Sequence, residues 1–234
     1  MHCAMSDPIT SKPAKGAAKK RKSWGAEIDS SKAMRAERER LLFETAAKLF
    51  NSHGFHGTSM SQLTSELGLT KGAIYYYVTD KSDLLYKLHL KSIEATQQAN
   101  TRGIAEGSNG FERVKLIIRY YVEALTRSRT ETFILLEKGA LNDEQTRDIK
   151  KRRKQLETEL REQIASGIED GSMIPCDPKL AALSLVGAMA WISKWYEPDG
   201  DWRPEQVAQS MSEMLIRSLA AKPVDALTTD VSNV

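Results

Sequence analysis

Lys71, Gly72, Tyr75, Tyr76 and Tyr77 fall within one seven-residue stretch, KGAIYYY, and their side chains suit contact with nucleic acid. An ammonium reaches guanine edges or phosphates, and phenol hydroxyls donate to phosphate oxygens while their rings pack on sugars and thymine methyls. Gly72 lets a backbone come close. Lys81 follows near the start of the next helix, where its charge and the free backbone N–H groups together suit a phosphate. Upstream, Thr58, Ser59, Ser61, Gln62 and Thr70 add short polar groups that can cap helices, contact DNA, or do both.

Two short helices and a tight corner are needed to hold these groups. From Ser59 the apolar residues Met60, Leu63 and Leu67 form one stripe at helical spacing, and Ser59 with Gln62 has the form of a capping box. Gly68 takes the left-handed conformation that stops a helix without steric cost, and Leu69 folds back on the turn before it. Thr70 then offers an N-cap hydroxyl to a second helix, Lys71 to Tyr77, whose inward positions are Ile74 and Val78. Helices joined this way cross steeply, so the second can enter a major groove. A hairpin inside a bundle core has the same periodicity. Three successive phenols with nothing apolar beside them argue against that reading.

Residues 38–85 resemble the DNA-binding domain of the TetR family of bacterial transcriptional regulators. The matching parts are Phe50 to Phe55, Gly57 to Met60, the Leu67-Gly68-Leu69 turn, Lys71 to Tyr77, and Asp80 to Leu85. Thr64 and Leu67 stand where a small Ala is usual, and Val78 where Phe is common. The resemblance implies an all-α chain: a three-helix DNA-binding domain with a helix-turn-helix, then a helical ligand-binding and dimerisation domain. The boundaries that follow are a disordered basic arm over 1–32, the DNA-binding domain over 33–82, the C-terminal domain over 83–221 and a loose tail over 222–234.

The composition is compatible with this. Of 234 residues 41% are hydrophobic and 28% charged, as in ordinary soluble globular proteins. The net charge of +3 says little by itself, but Lys12, Lys15, Lys19, Lys20, Arg21 and Lys22 crowd the N-terminus among Pro, Gly and Ser. Such a run stays unfolded, and is either a phosphate-contacting arm or a solvated leader. Cys3 and Cys176 form neither a metal spacing nor a disulfide framework. The longest apolar run, Leu180 to Ile192, is shorter than the ~20 residues that span a bilayer. A cytoplasmic protein with no membrane partner is expected.

Helix one is expected from about Ala33 to Asn51, and a long helix from Asp80 to about Gly107 bridges to the second domain. After the Gly107–Gly110 break, Val114, Ile117, Ile118, Tyr121 and Leu125 form a stripe, and Phe133 to Leu136 sit on a shorter segment. A helix from about Asn142 to Asp170 buries Ile149, Leu156, Leu160, Ile164 and Ile168. Asp148 to Arg152 and Glu157 to Arg161 are supporting pairs on it. Its basic cluster, Lys150 to Lys154, reads either as a solvated face or as an anion site.

Asp177-Pro178 opens the next helix, apolar nearly all round, and Pro204 opens the last. Leu180, Leu183, Gly187, Trp191 and Trp195 share one face, which packs either inside the chain or against a second copy. The resemblance implies the second, a homodimer through the last two helices. It also implies an effector pocket, for which Tyr120, Tyr121, Phe133, Trp191 and Trp195 are the candidate aromatics. The stretch WISKWYEPDGDWRPEQVAQ is similar to the C-terminal ends of TetR-type repressors of fatty-acid and sterol degradation, which implies an acyl-CoA effector. A multidrug-type aromatic ligand is the alternative.

No phosphate-binding Gly loop, zinc spacing or nucleophile elbow is present, and His53 and His56 lack an acidic partner at metal spacing. An enzyme is therefore not expected, nor any cofactor or metal. The expected partners are an operator DNA duplex, a second copy and a small-molecule effector. A non-specific architectural DNA-binding protein is the rival, and it predicts binding without operator preference.

Overall fold

The computed structural model describes residues 24–127 and 138–222. In chain order the helices are α1 (Trp24–His53), α2 (Met60–Leu67), α3 (Lys71–Tyr75), α4 (Lys81–Glu106), α5 (Gly110–Arg127), α6 (Asp143–Glu169), α7 (Pro178–Trp195) and α8 (Pro204–Arg217). Among the described residues there is no strand, only an isolated bridge between Met173 and Ala220. The chain divides into a unit ending at Glu37, of which the first turns of α1 are described, and a unit from Arg38 onward that holds both cores. The expected arm through residue 23, the Phe133 to Leu136 segment and the tail beyond residue 222 lie outside the described residues.

Helix α1 starts at Trp24, earlier than the Ala33 that the apolar stripe suggests. Residues 32–38 are all exposed, so no periodic burial marks these turns. The Ala, Lys, Arg and Glu there favour helix by propensity alone. Helix α3 is shorter than expected. Tyr76 is its C-cap, and Tyr77 N–H closes on the Ile74 carbonyl at 2.9 Å, a three-residue bond that tightens the last turn.

The N-cap hydroxyls read from the sequence are in place, but Gln62 does not return the bond that would complete a capping box at Ser59. Ser59 Oγ accepts from Gln62 N–H at 3.1 Å, and Thr70 Oγ1 from Ala73 N–H at 3.4 Å. Gly68 sits at φ 60°, where an L side chain is strained. Asp80 caps α4 through Asp83 N–H at 2.8 Å, and Asp83 returns the favour to Thr79 N–H at 2.9 Å.

One core gathers Leu42, Phe43, Ala46 and Phe50 of α1, Leu63 of α2, Ile74 and Val78, and Leu84, Leu85 and Leu88 of α4. Each large side chain of this kind contributes about 1.5–3 kcal/mol by leaving water. The second core is built on Val114, Ile118 and Val122 of α5, Ile164 of α6, Ile192 of α7 and Ile216 of α8. Helix α4 supplies both, Leu84 and Leu85 to the first and Ala99 to the second. Two close approaches set the helix spacing, α5 on α6 and α4 on α5. A Cβ on Gly110 would fall 2.2 Å from Gly167 Cα, and one on Gly103 would fall 2.6 Å from Ile117 Cγ1.

Among the described residues no helix is long and apolar enough to cross a membrane. On α6 the Asp148–Arg152 pair forms at 2.8 Å, while Glu157 pairs with Lys154. Lys150, Lys151, Arg152 and Lys154 reach water as a solvated face would, but Arg153 turns inward.

Candidate nucleic-acid interface and C-terminal cavity

The corner made by α2 and α3 is braced from behind. Ile74, Leu63 and Val78 seat it on α1 and α4, which leaves Lys71, Gly72, Tyr75 and Tyr76 outside. Tyr75 is 48% and Tyr76 62% exposed. A Cβ on Gly72 would meet nothing within 4 Å, so no internal contact demands a glycine there. What the missing side chain provides is open access to the helix backbone. Ser59, Ser61 and Thr70 are exposed as well, and Gln62 is half-buried.

Three of the residues nominated for DNA contact are used by the protein itself. Thr58 is 2% exposed, and its hydroxyl donates to the carbonyls of Gly54 at 2.9 Å and Leu49 at 3.3 Å, so it ties off the end of α1. The Lys81 ammonium donates to the carbonyls of Phe55 at 2.7 Å and Thr58 at 2.6 Å and lies over the Phe55 ring. It gives a charged donor to two loop carbonyls after α1 rather than reaching outward. Tyr77 is half-buried against the first core, its ring edge on Tyr76 at 5.2 Å and its carbonyl accepting from Lys87 Nζ at 2.8 Å. The exposed trio of phenols is thus a pair. Burial works against the charge of Asp83, which caps the same turn, but bonds from Thr79 and Lys87 win and hold its carboxyl below the usual range.

The second candidate site is a partly open cavity of about 110 Å³ lined by α4, α5, α6 and α7. Ile93, Ile117, Leu156, Leu160, Val186 and Met189 make its apolar wall; Ser92, Thr96, Asn100, Tyr121, Arg153 and Glu157 make its polar one. Tyr121 lies here as expected, and burial pushes its phenol up to about 12. The other expected aromatics do not line it. Tyr120 stacks under Arg102 and donates to Glu106 on the outside. Phe133 lies outside the described residues. Trp191, 66% exposed, and Trp195 stand on the outer face of α7 with Leu180 and Leu183, away from the buried Leu185, Met189 and Ile192. Met214 of α8 is exposed too.

Arg153, His89 and Asn100 are the polar residues that a search for aromatics missed. Arg153 Nη2 lies 3.0 Å from His89 Nδ1, and burial holds the guanidinium below its usual pKa. His89 is fully buried on α4, and desolvation together with the Arg153 charge takes its imidazole down to about 3. Asn100 Nδ2 donates to Glu159 at 3.0 Å. A signal was present. Arg153 falls four residues after Ile149 and three before Leu156, on the buried stripe of α6, and His89 falls four after Leu85 on that of α4.

One side-chain bond ties α4 to α6 beside Ile149 of the first core, and another ties α7 to α1 across the two cores. Tyr86 Oη donates to Asp148 at 2.8 Å, and Lys194 Nζ on α7 donates to the Asn51 carbonyl on α1 at 3.2 Å.

Comparison with known proteins matches both regions. Residues 42–88 fit the family described as bacterial regulatory proteins, tetR family, and residues 107–219 fit the tetracyclin repressor-like C-terminal domain. The chain is 22% identical over 190 residues to the uncharacterized HTH-type transcriptional regulator YhgD of Bacillus subtilis, spanning 80% of this chain and all of that one. It is 23% identical over 187 residues to the HTH-type transcriptional repressor KstR2 of Mycobacterium tuberculosis, covering 78% and 93% respectively. Among solved structures, AibR in complex with isovaleryl coenzyme A and operator DNA matches with a TM-score of 0.64 and 30% identity, over 76% of this chain and 98% of that one. The KstR2 structure matches in fold, with a TM-score of 0.68 at 20% identity, over 80% and 95%.

Proposed function

Because the chain belongs to the TetR family of bacterial regulatory proteins, a family of DNA-binding regulators and not enzymes, we propose that it is a homodimeric repressor released from a palindromic operator by an acyl-CoA. The observation that carries the DNA-binding half is the placement of α3. A short helix braced by Ile74 and Val78 offers Lys71, Tyr75 and Tyr76 outward, with Ser59, Ser61 and Thr70 beside them. Lys71 and the two phenols supply base-edge and phosphate contacts, and the N-terminus of α2 supplies free N–H groups for a second phosphate.

The outer face of α7 supports a dimer. Leu180, Leu183 and Trp191 are each more than two-fifths exposed, at 65%, 48% and 66%, and Gly187 between them meets nothing within 4 Å. An apolar stripe with a flat centre allows a copy of the same helix pair to approach closely, and a two-fold axis there presents two recognition helices to two half-sites. Such a regulator works in the cytoplasm, where its operator is.

The cavity supports a small apolar effector group. At about 110 Å³ it has room for roughly four groups of ~30 Å³, the share of a water molecule in the liquid. Its apolar wall of Ile93, Ile117, Leu156, Leu160, Val186 and Met189 suits an acyl end. AibR, 30% identical to this chain, was solved with isovaleryl coenzyme A and operator DNA. Release follows if the acyl-bound form sets the two α3 helices at a spacing that no longer matches ~34 Å between half-sites.

The test has two parts. Genomic fragments retained by the purified protein are sequenced; an inverted repeat is the expected result, and retention with no shared sequence would favour an architectural role. The recovered operator is then challenged with acyl-CoA thioesters from four to sixteen carbons. Release is expected at the short end, and no release by any member would remove the acyl-CoA assignment. Leu180→Glu with Trp191→Glu is expected to give monomers by sedimentation and to abolish operator binding.

A further inference from the structure

On the outer side of α6, Arg147, Lys150, Lys151 and Lys154 fall three or four residues apart, so they share one face of the helix, and all four are exposed. At 1.5 Å of rise per residue the row runs about 10 Å. Carboxylates answer only one end of it. Lys154 pairs with Glu157, while Asp148 beside the row is taken by Arg152. Arg147, Lys150 and Lys151 form no ion pair among the described residues. Like charges at this spacing destabilise a helix, and a local rule broken without compensation inside the chain marks a place where something else supplies it.

The row starts at the cavity. Glu157 lines that cavity with its side chain only 12% exposed, and its Oε2 accepts from the exposed Lys154 Nζ. The first cation of the row therefore stands at the rim. From there the others follow along α6 toward Ile149, which belongs to the first core.

We infer that Arg147, Lys150 and Lys151, with Lys154 at the rim, hold the phosphate groups of the effector. A CoA thioester fits both halves of this site: an apolar acyl group for the cavity, then a flexible thiol arm ending in a diphosphate and a ribose phosphate for the row. Arg147 offers a bidentate fork to one phosphate, and each lysine acts as a point charge. Bound phosphates also remove the repulsion within the row. The inference rests on the cavity being the effector site, as proposed above, and adds a second contact outside it.

Calorimetric titration of the full chain with butanoyl-CoA and with butanoyl-pantetheine tests it, since the second probe keeps the acyl group and thiol arm without any phosphate. The native protein is expected to bind butanoyl-CoA tenfold or more tighter, with an affinity that falls as salt rises. Equal affinity for the two overturns this inference and leaves the effector assignment standing; no binding of either overturns both. Lys150→Glu with Lys151→Glu is expected to erase the preference and flatten the salt dependence while butanoyl-pantetheine binds as before. A preference that survives the double substitution overturns the inference, as does an equal loss for both probes, which would mark a structural role. Should the reversed charges prevent folding, Arg147→Gln with Lys151→Gln gives the same reading with a smaller loss. Inorganic diphosphate separates the sources of phosphate: competition at the affinity of butanoyl-CoA itself overturns the assignment to a thioester. Weaker operator binding by the double variant without any thioester, at native affinity for butanoyl-CoA, gives the row to the DNA backbone and overturns the inference as well.

Discussion

The Lys81 ammonium lies 2.6 Å from the carbonyl of Thr58 and 2.7 Å from that of Phe55, joining the first turn of α4 to the loop between α1 and α2. Sequence position alone would put this lysine on DNA. The geometry makes it a clamp on the corner that presents α3.

Lys81 and Lys71 should therefore fail differently. Lys81→Met is expected to lower stability by about 1–3 kcal/mol, since it strands the Thr58 carbonyl and leaves that of Phe55 with only the Thr58 N–H at 3.3 Å, and to weaken operator binding through that loss. Lys71→Ala is expected to leave the melting temperature unchanged, weaken binding, and reduce the slope of log affinity against log salt by about 1. Denaturation curves and salt titrations of the two variants separate the roles. Equal stability of both would contradict the clamp.

The adjacent phenols should divide in the same way. Tyr76→Ala removes a side chain that is 62% exposed, so operator affinity drops while the fold is untouched. Tyr77→Ala takes a ring off the first core and should cost about 1–3 kcal/mol in chemical denaturation. A Tyr77→Phe protein that keeps native stability and native operator affinity would show that its hydroxyl is not needed for contact.

Gly110→Ala is expected to be among the most damaging single-methyl changes in the chain. Its Cβ would lie 2.2 Å from the Gly167 backbone, where no side-chain rotation relieves the clash, so α5 and α6 must separate. Gly68→Ala, with open space around it, should cost only about 1 kcal/mol from its φ of 60°. Reversal of that order in thermal melts would contradict the assigned close crossing.

His89 makes stability depend on pH. The unfolded imidazole takes a proton near 6.5, and the buried one refuses it down to about 3. Between those values the unfolded chain binds more protons, so this contribution is complete above 6.5 and shrinks as the pH falls, by up to about 1.4 kcal/mol per unit. Urea midpoints from pH 7 to 5 should decline in the native chain and decline less in His89→Gln. Parallel curves would show that His89 does not carry the dependence. Arg153→Met should raise the folded His89 pKa by removing the neighbouring charge, so the decline should end at a higher pH and be smaller in total.

Local periodicity was enough to read the order of the helices, the Gly68 corner, the Asp177-Pro178 start and the inward set of α2, because caps and stripes are properties of residues three or four apart. It was not enough to read where α1 begins. Residues 32–38 are all exposed, and a stripe cannot mark a stretch held by propensity.

The chain by itself determined the all-helical class, the two-helix corner and the exposure of Lys71, Tyr75 and Tyr76, since each follows from the side of a short helix on which a residue must fall. Tertiary structure alone decided that Thr58 and Lys81 are spent on the carbonyls of the first turn, that Tyr77 belongs to the core, and that Trp191 and Trp195 face away from the cavity. It also turned Arg153 from a member of a solvated run into a cavity group joined to His89, 64 positions away in the chain. The reason is physical: helical spacing fixes the face a residue shares with its neighbours, whereas what that face meets depends on the packing of segments far apart in sequence.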